Sequence, residues 1–268
     1  PSLLGIRDWV SRAPSVPCNG AFRIESIDSG ALILKRNESY WDAASVRLSG
    51  IRATAPETPE EASRLFNNGD VHWLAGDADL ESLLYRDAIQ VNPMFATHYW
   101  FFSCRTAPWS DPDVRRALAL LAPWDEIRSR EHYLIPATGL VLPVEGYEAP
   151  EGIRKPDPEA SRALLEKAGY PDGKGLPALR ILLPEGEGAA RIAELLSQAW
   201  KEALGLEVVV KTLSASRFYG SLRGAEWDMT LNTWIGDFAD PLAFLQMWTS
   251  DSSLNDAGYS DPDYDRRI

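Results

Sequence analysis

The chain has 268 residues, 45% hydrophobic and 25% charged, enough apolar material for one large or two modest cores. Its net charge of −12 argues against a nucleic-acid partner, because binding by counterion release needs a Lys/Arg surface. No apolar run reaches the roughly 18 residues of a membrane-spanning helix, and the start does not read as a signal peptide. The two cysteines, Cys18 and Cys104, are too few for a disulfide scaffold and lack metal-ligand spacing. They either pair with each other or act as small buried apolar side chains.

In chain order, residues 19–54 read as β structure. NGAFRIESID carries apolar residues at Phe22, Ile24 and Ile27, and SGALILKRN follows an Asp-Ser-Gly turn with Leu32 and Leu34 on one face. VRLSGIRA is a further short strand. TPEEASRLFNNG is a helix capped by Thr58, opened by Pro59 and stopped at Asn68-Gly69. DVHWLAG is expected as a strand and ADLESLLYR as a second helix. VNPMFATHYWFFSC is aromatic throughout and fits a strand buried on both faces. Asp111, Pro112 and the stripe Val114, Leu118, Leu121 define a helix that Pro123 ends.

Residues 131–156 are rich in Pro and Gly and read as a long ordered loop. After it come a helix opened by Asp157-Pro158 and closed by Gly169, the strand ALRILLPEG, and an amphipathic helix ending at Gly205. LEVVVKTL, SRFYGSLRG and EWDMTLNTW are expected as strand, short helix and strand. Strand and helix alternating in this way predict an α/β lobe with a mixed or parallel sheet. The chain opens on PSLLGIRDWV without an initiator Met and closes on DPDYDRRI as a helix begins, so a portion of a longer protein is expected.

The sequence offers little chemistry for catalysis. His72, His98 and His132 lie in separate segments without metal-like spacing, and phosphate-loop, nucleophile-elbow and zinc-helix motifs are missing from it. The acid pairs Glu185/Glu187 and Asp261/Asp263 read as solvated loops or caps. TWIGDFADPLAF is different. Trp234, Asp237 and Phe238 fall at the carboxyl end of a predicted strand, where open α/β sheets bind ligands. A carboxylate between aromatic rings suits a protonated amine. Asp240, directly before Pro241, is the better helix cap, which frees Asp237 for another role. His98, in the aromatic strand, is a second candidate for reaching a cleft.

Five segments in order resemble the extracellular solute-binding proteins of ABC importers for peptides and nickel, most of all the oligopeptide-binding proteins. They are NGAFRIESIDSGALILKRNESYW, NNGDVHWL, APWSDPDVRRALALLAPWDEI, DPEASRALLEKAGYPDG and TWIGDFADPLAFLQMWTSDSSLNDAGYSDPDYD. The last is the most specific. The resemblance implies a type II periplasmic-binding-protein-like α/β fold, with mixed sheets flanked by helices and an incomplete first lobe. Residues 1–95 would be the middle of that lobe and residues 96–268 most of the second. The exposed sheet edge of such a first lobe would invite pairing between copies.

It further implies a binding component without catalysis or cofactor, whose partners are a peptide or other small solute and membrane permease subunits, not nucleic acid. The location would be periplasmic or extracellular, with a lipoprotein anchor as one form. Asp237 corresponds to the Asp that holds a ligand amino group, with Trp234, Phe238, Tyr99, His98 and Arg223 as further ligand-binding candidates. Departures from the family pattern are Leu231 where some members carry Arg, and Phe101 near a Glu position. Ala96 and Ile235 stand where some members have a disulfide, and His72 where Asp is usual. Two other readings use the same fold: a ligand-sensing domain joined to a transcription regulator, and a binder of metal, haem or sugar.

Overall fold

The computed structural model describes residues 18–28, 30–76, 78–90, 92–130, 134–223 and 226–268. It divides into two compact units, Pro1–Asn92 and Pro93–Ile268. In the first unit β1 (Phe22–Asp28), β2 (Ala31–Arg36) and β3 (Gly50–Thr54) form an antiparallel sheet in that order. The spacing of Phe22, Ile24 and Ile27 breaks strict alternation, and a bulge between Ile24 and Ser26 repairs it. Ile24 then pairs with Leu34 and Ile27 with Leu32, on one face. Helix α1 (Pro59–Asn67) starts as expected: Thr58 accepts from the Glu61 N–H at 3.2 Å, and the Glu61 carboxylate accepts from Glu57 N–H at 3.0 Å.

Two expectations in this unit fail. Residues 70–76 are irregular, with His72 and Trp73 exposed, and residues 78–86 form no α-helix, only Arg86 entering a short 3-10 turn over Arg86–Ala88. The polar side chains of α1 take the groups a helix would use. Ser63 Oγ donates to Asp79 O at 3.0 Å, Asn67 Nδ2 to Ser82 O at 2.9 Å, and Leu84 N–H donates to Asn67 Oδ1 at 2.9 Å. Local capture of backbone groups competes directly with helix formation.

The second unit is built on a mixed sheet in the order β4-β7-β5-β6: β4 (Ala96–Phe102), β7 (Met229–Ile235), β5 (Leu179–Pro184), β6 (Val208–Leu213). β4 runs antiparallel to β7, whereas β5 is parallel to both neighbours. Helices α2 (Pro112–Leu121) and α5 (Glu187–Leu204) cover one face, packing Trp109, Val114, Leu118, Leu196 and Trp200 on Ile181, Leu183, Met229 and Leu231. The Trp200 indole donates to Leu118 O at 2.9 Å, so this buried ring keeps a polar partner. Helix α6 (Ala215–Ser221) serves the other face, where Phe218, Leu222 and Trp227 meet Leu182.

Helix ends follow the predicted signals. Asp111 accepts from Asp113 N–H at 2.8 Å, and Asp157 caps α4 (Pro158–Lys167) by accepting from Ala160 N–H at 2.9 Å. Gly205, at φ 66°, closes α5. Pro123 ends α2 but also opens a helix the sequence reading missed, α3 (Trp124–Arg130), whose Ile127 N–H donates to Pro123 O at 3.0 Å.

The aromatic strand packs on both faces as expected, Trp100 and Phe102 on one cluster and Phe101 on another, but its burial is partial. β4 is paired only to β7, and Thr97 alone is fully buried. Both cysteines are free thiols, which decides against pairing. His132 lies outside the described residues. Among the described residues no helix is long and apolar enough to cross a membrane.

Candidate functional site

β7 carries the stretch singled out by sequence. At its end Gly236 N–H donates to Phe95 O at 2.7 Å, and a Cβ at Gly236 would sit 2.5 Å from the Phe95 ring. Only glycine lets the chain pass there. Trp234 donates its indole N–H to Ala243 O at 2.6 Å and is half-buried against Phe95, Val141 and Phe244. The loop 134–156 supplies Leu140, Val141 and Tyr147 to this cluster, and Thr97 Oγ1 fixes it by donating to Leu140 O at 2.8 Å. Trp234 is therefore anchored on the protein side, and its ring acts mainly as a support for the turn that follows.

That turn projects Asp237 into solvent beside Phe238, which is 48% exposed. Among the described residues none donates to or pairs with the Asp237 carboxylate. Asp240 takes the capping role expected of it, with Oδ1 accepting from Leu242 N–H at 2.8 Å at the start of α7 (Leu242–Leu245). Two aspartates three positions apart thus separate their work.

The strand register divides the other candidates. Thr97 faces Trp234, Tyr99 faces Asn232 and Phe101 faces Thr230 on one side of the β4–β7 ladder. His98, paired with Thr233, lies on the opposite side, the one that carries Trp100 and Leu231 into the helix-covered core. His98 Nδ1 and Thr233 Oγ1 are 2.8 Å apart. Tyr99 and Trp234 share a face, and His98 does not join them.

Arg223, next to α6, is exposed, and its guanidinium is used locally. Nε lies 3.6 Å from Asp256 Oδ1, and Nη2 donates to Ser253 O. Arg105 also serves this point, donating to Asp256 O at 2.6 Å while resting over Trp227. Burial pushes the Asp256 carboxyl up, and the two arginines oppose that shift. Burial, with a smaller contribution from Asp256, raises the Tyr99 phenol well above its ordinary range.

Two contributors escaped the sequence reading: Trp248, which packs edge-on against Tyr99 and Phe101, and Asp256. The aromatic count before and after Asp237 was the available signal for Trp248. The remainder of the signature is scaffold. Asn255 donates to Trp248 O, Thr249 O and Tyr259 O and accepts from Tyr259 N–H. Asp261 caps α8 (Pro262–Arg267), Asp265 accepts from Ser250 N–H at 2.9 Å, and Tyr264 OH donates to Leu245 O at 2.7 Å. Among the described residues no three His, Cys, Asp or Glu side chains are grouped to hold a metal ion.

The second unit thus combines a mixed sheet covered on both faces with an open carboxylate just past a strand's carboxyl end. Residues 7–256 match the family described as bacterial extracellular solute-binding proteins, family 5, middle, and the chain belongs to that family. The dipeptide-binding protein DppE of Bacillus subtilis is 22% identical over 277 residues, covering 97% of this chain and 50% of that protein. The oligopeptide-binding protein OppA of the same organism is 25% identical over 267 residues, covering 93% and 49%. The crystal structure of Haemophilus influenzae OppA in complex with the peptide RPPGFSPFR superposes with a TM-score of 0.73 at 22% identity, over 92% of this chain and 52% of that one. This is the fold expected from the resemblance. The chain spans about half the length of the relatives it matches.

Proposed function

We propose that the chain is part of the substrate-binding component of an ABC importer, and that it binds peptides through their amino end at Asp237. Residues 1–95 then form the middle of a first lobe and residues 96–268 most of a second. Such a component catalyses no reaction. It acts in the periplasm or at the outer cell surface and delivers its ligand to membrane permease subunits. The observation that carries this reading is the unpaired, exposed Asp237 carboxylate beside Phe238 at the end of β7. An ammonium group there gains a charge-assisted hydrogen bond without displacing any existing partner. The names of the relatives, which are dipeptide- and oligopeptide-binding proteins, support the same ligand class.

The test is calorimetric titration with a pool of di- to pentapeptides and with the same pool N-acetylated. Acetylation removes the cation, so binding of the free peptides and loss with the acetylated ones is the expected result. Equal binding of both pools rules out the amine anchor.

A further inference from the structure

We propose that strand β6 is a self-association surface, at which two copies of this chain pair edge to edge, antiparallel, about Val209. β6 is an outer strand of the second unit's sheet and among the described residues is paired only to β5. Leu179 N–H donates to Glu207 O at 2.9 Å and Glu185 N–H to Leu213 O at 2.8 Å, so the odd-numbered residues here turn their backbone groups towards β5. Alternation along the strand turns those of Val208, Val210 and Thr212 outward. Of the usual guards against edge pairing, β6 has only the charge of Lys211: it contains no proline, and its register with β5 runs without a bulge from Val208 to Leu213. Val209 and Val210 are 47% and 43% exposed.

This edge is complementary to itself. Setting Val209 opposite Val209 of the second copy places Val208 opposite Val210. Both have outward backbone groups, so they exchange N–H···O=C bonds. The same register sets Glu207 opposite Lys211 of the second copy at each end, at non-hydrogen-bonded positions where side chains come closest. Glu207, Val209 and Lys211 share one parity and lie on the α6 side of the sheet, where Val209 and Lys211 line an open hollow of about 120 Å³ with Leu182 and Trp227. Glu207 and Lys211 are exposed, and among the described residues neither side chain has a partner. A slip of two residues sets Val209 against Glu207 or Lys211, and a slip of one sets outward backbone groups against inward ones. The contact uses the same edge of both copies, so it closes at a dimer. A strand pair this short buries little surface, which makes the dimer weak.

The test is sedimentation equilibrium of the chain from micromolar to millimolar concentration in about 0.15 M salt, where its net charge of −12 is largely screened. A monomer–dimer equilibrium is expected. Lys211→Glu and Glu207→Lys each set like charges opposite one another at both ends, and each should weaken the dimer at least fivefold. An equimolar mixture of the two variants brings opposite charges together again, so a heterodimer about as tight as the unmodified dimer is expected. Val210→Pro deletes an outward N–H without touching the bonds to β5 and should abolish association, with far-UV circular dichroism unchanged. A chain that stays monomeric throughout overturns the inference, and so does an association that neither charge variant weakens. Should the proline variant fail to fold, the charge variants and their mixture decide. The amine anchor stands or falls separately, since no residue of β6 belongs to the Asp237 turn.

Discussion

Asp237 and Asp265 belong to one acidic, aromatic stretch, but their surroundings are opposite. Asp265 accepts from both the backbone and hydroxyl of Ser250, Asp261 caps a helix, and Asn255 closes its loop with four hydrogen bonds. Asp237 accepts from none of the described residues and sits in solvent. A polar side chain that is satisfied internally contributes to stability, whereas one held open by a supported turn is available for a ligand. The two halves of the stretch therefore divide scaffold from site, although composition makes them look alike.

Three experiments press on that division. The largest effect belongs to Asn255→Ala, which removes four hydrogen bonds in a partly buried loop and takes the side-chain donor from Trp248 O and Tyr259 O, while Thr249 O keeps the Ser252 N–H. A loss of about 3–4 kcal/mol is expected, read from urea midpoints. A loss within about 0.5 kcal/mol would place Asn255 outside the scaffold. Next is Asp237→Asn, expected to weaken peptide binding at least tenfold while shifting the urea midpoint by less than about 0.5 kcal/mol. A large stability change there would erase the contrast between the two aspartates.

The smallest effect is a pH slope. Burial first, and then neighbouring charges, push the Tyr264 phenol from 10.0 up to about 12. Between those values the folded chain holds a proton that the unfolded chain has released. Stability is thus fully present below pH 10 and falls as pH rises towards 12. Tyr264→Phe should flatten the melting-temperature profile in that window, and an unchanged slope would assign it to the other tyrosines whose phenols are raised, Tyr99 and Tyr259.

Much of this architecture is legible from local rules. Asp111 and Asp157 before proline, Gly205 after an apolar stripe, and the Asp240-Pro241 pair each fix an end without help from tertiary structure. The failures have specific physical causes. Residues 78–86 have helical composition, but Ser63 and Asn67 on the preceding helix capture their backbone groups, and only the folded chain brings these together. Pro123 signals both a stop and a start, and the stop alone was read.

At the site, Asp237 and Trp234 were visible as a motif. Neighbouring residues in a strand face opposite ways, so parity alone already separates His98 from Tyr99. Which face meets the helices depends on the partner strand. Trp248 and Asp256 come from a later turn, and their approach to Tyr99 is a long-range contact that no local pattern encodes.

The loop that packs on Trp234 has a narrow neck. A Cβ at Gly152 would lie 1.6 Å from Thr138 O, so the chain leaves and returns at almost the same point. Arg128 secures that neck by donating to Ala137 O, Ile153 O and Arg154 O while stacked over Trp124. The exposed turn at Glu145-Gly146, between the bridged residues Val144 and Tyr147, hangs from it like a bag from a drawstring. Lengthening the chain at that turn adds little closure entropy and leaves the sheet register untouched. It is the natural point for grafting a reporter, one that would move with the wall supporting Asp237.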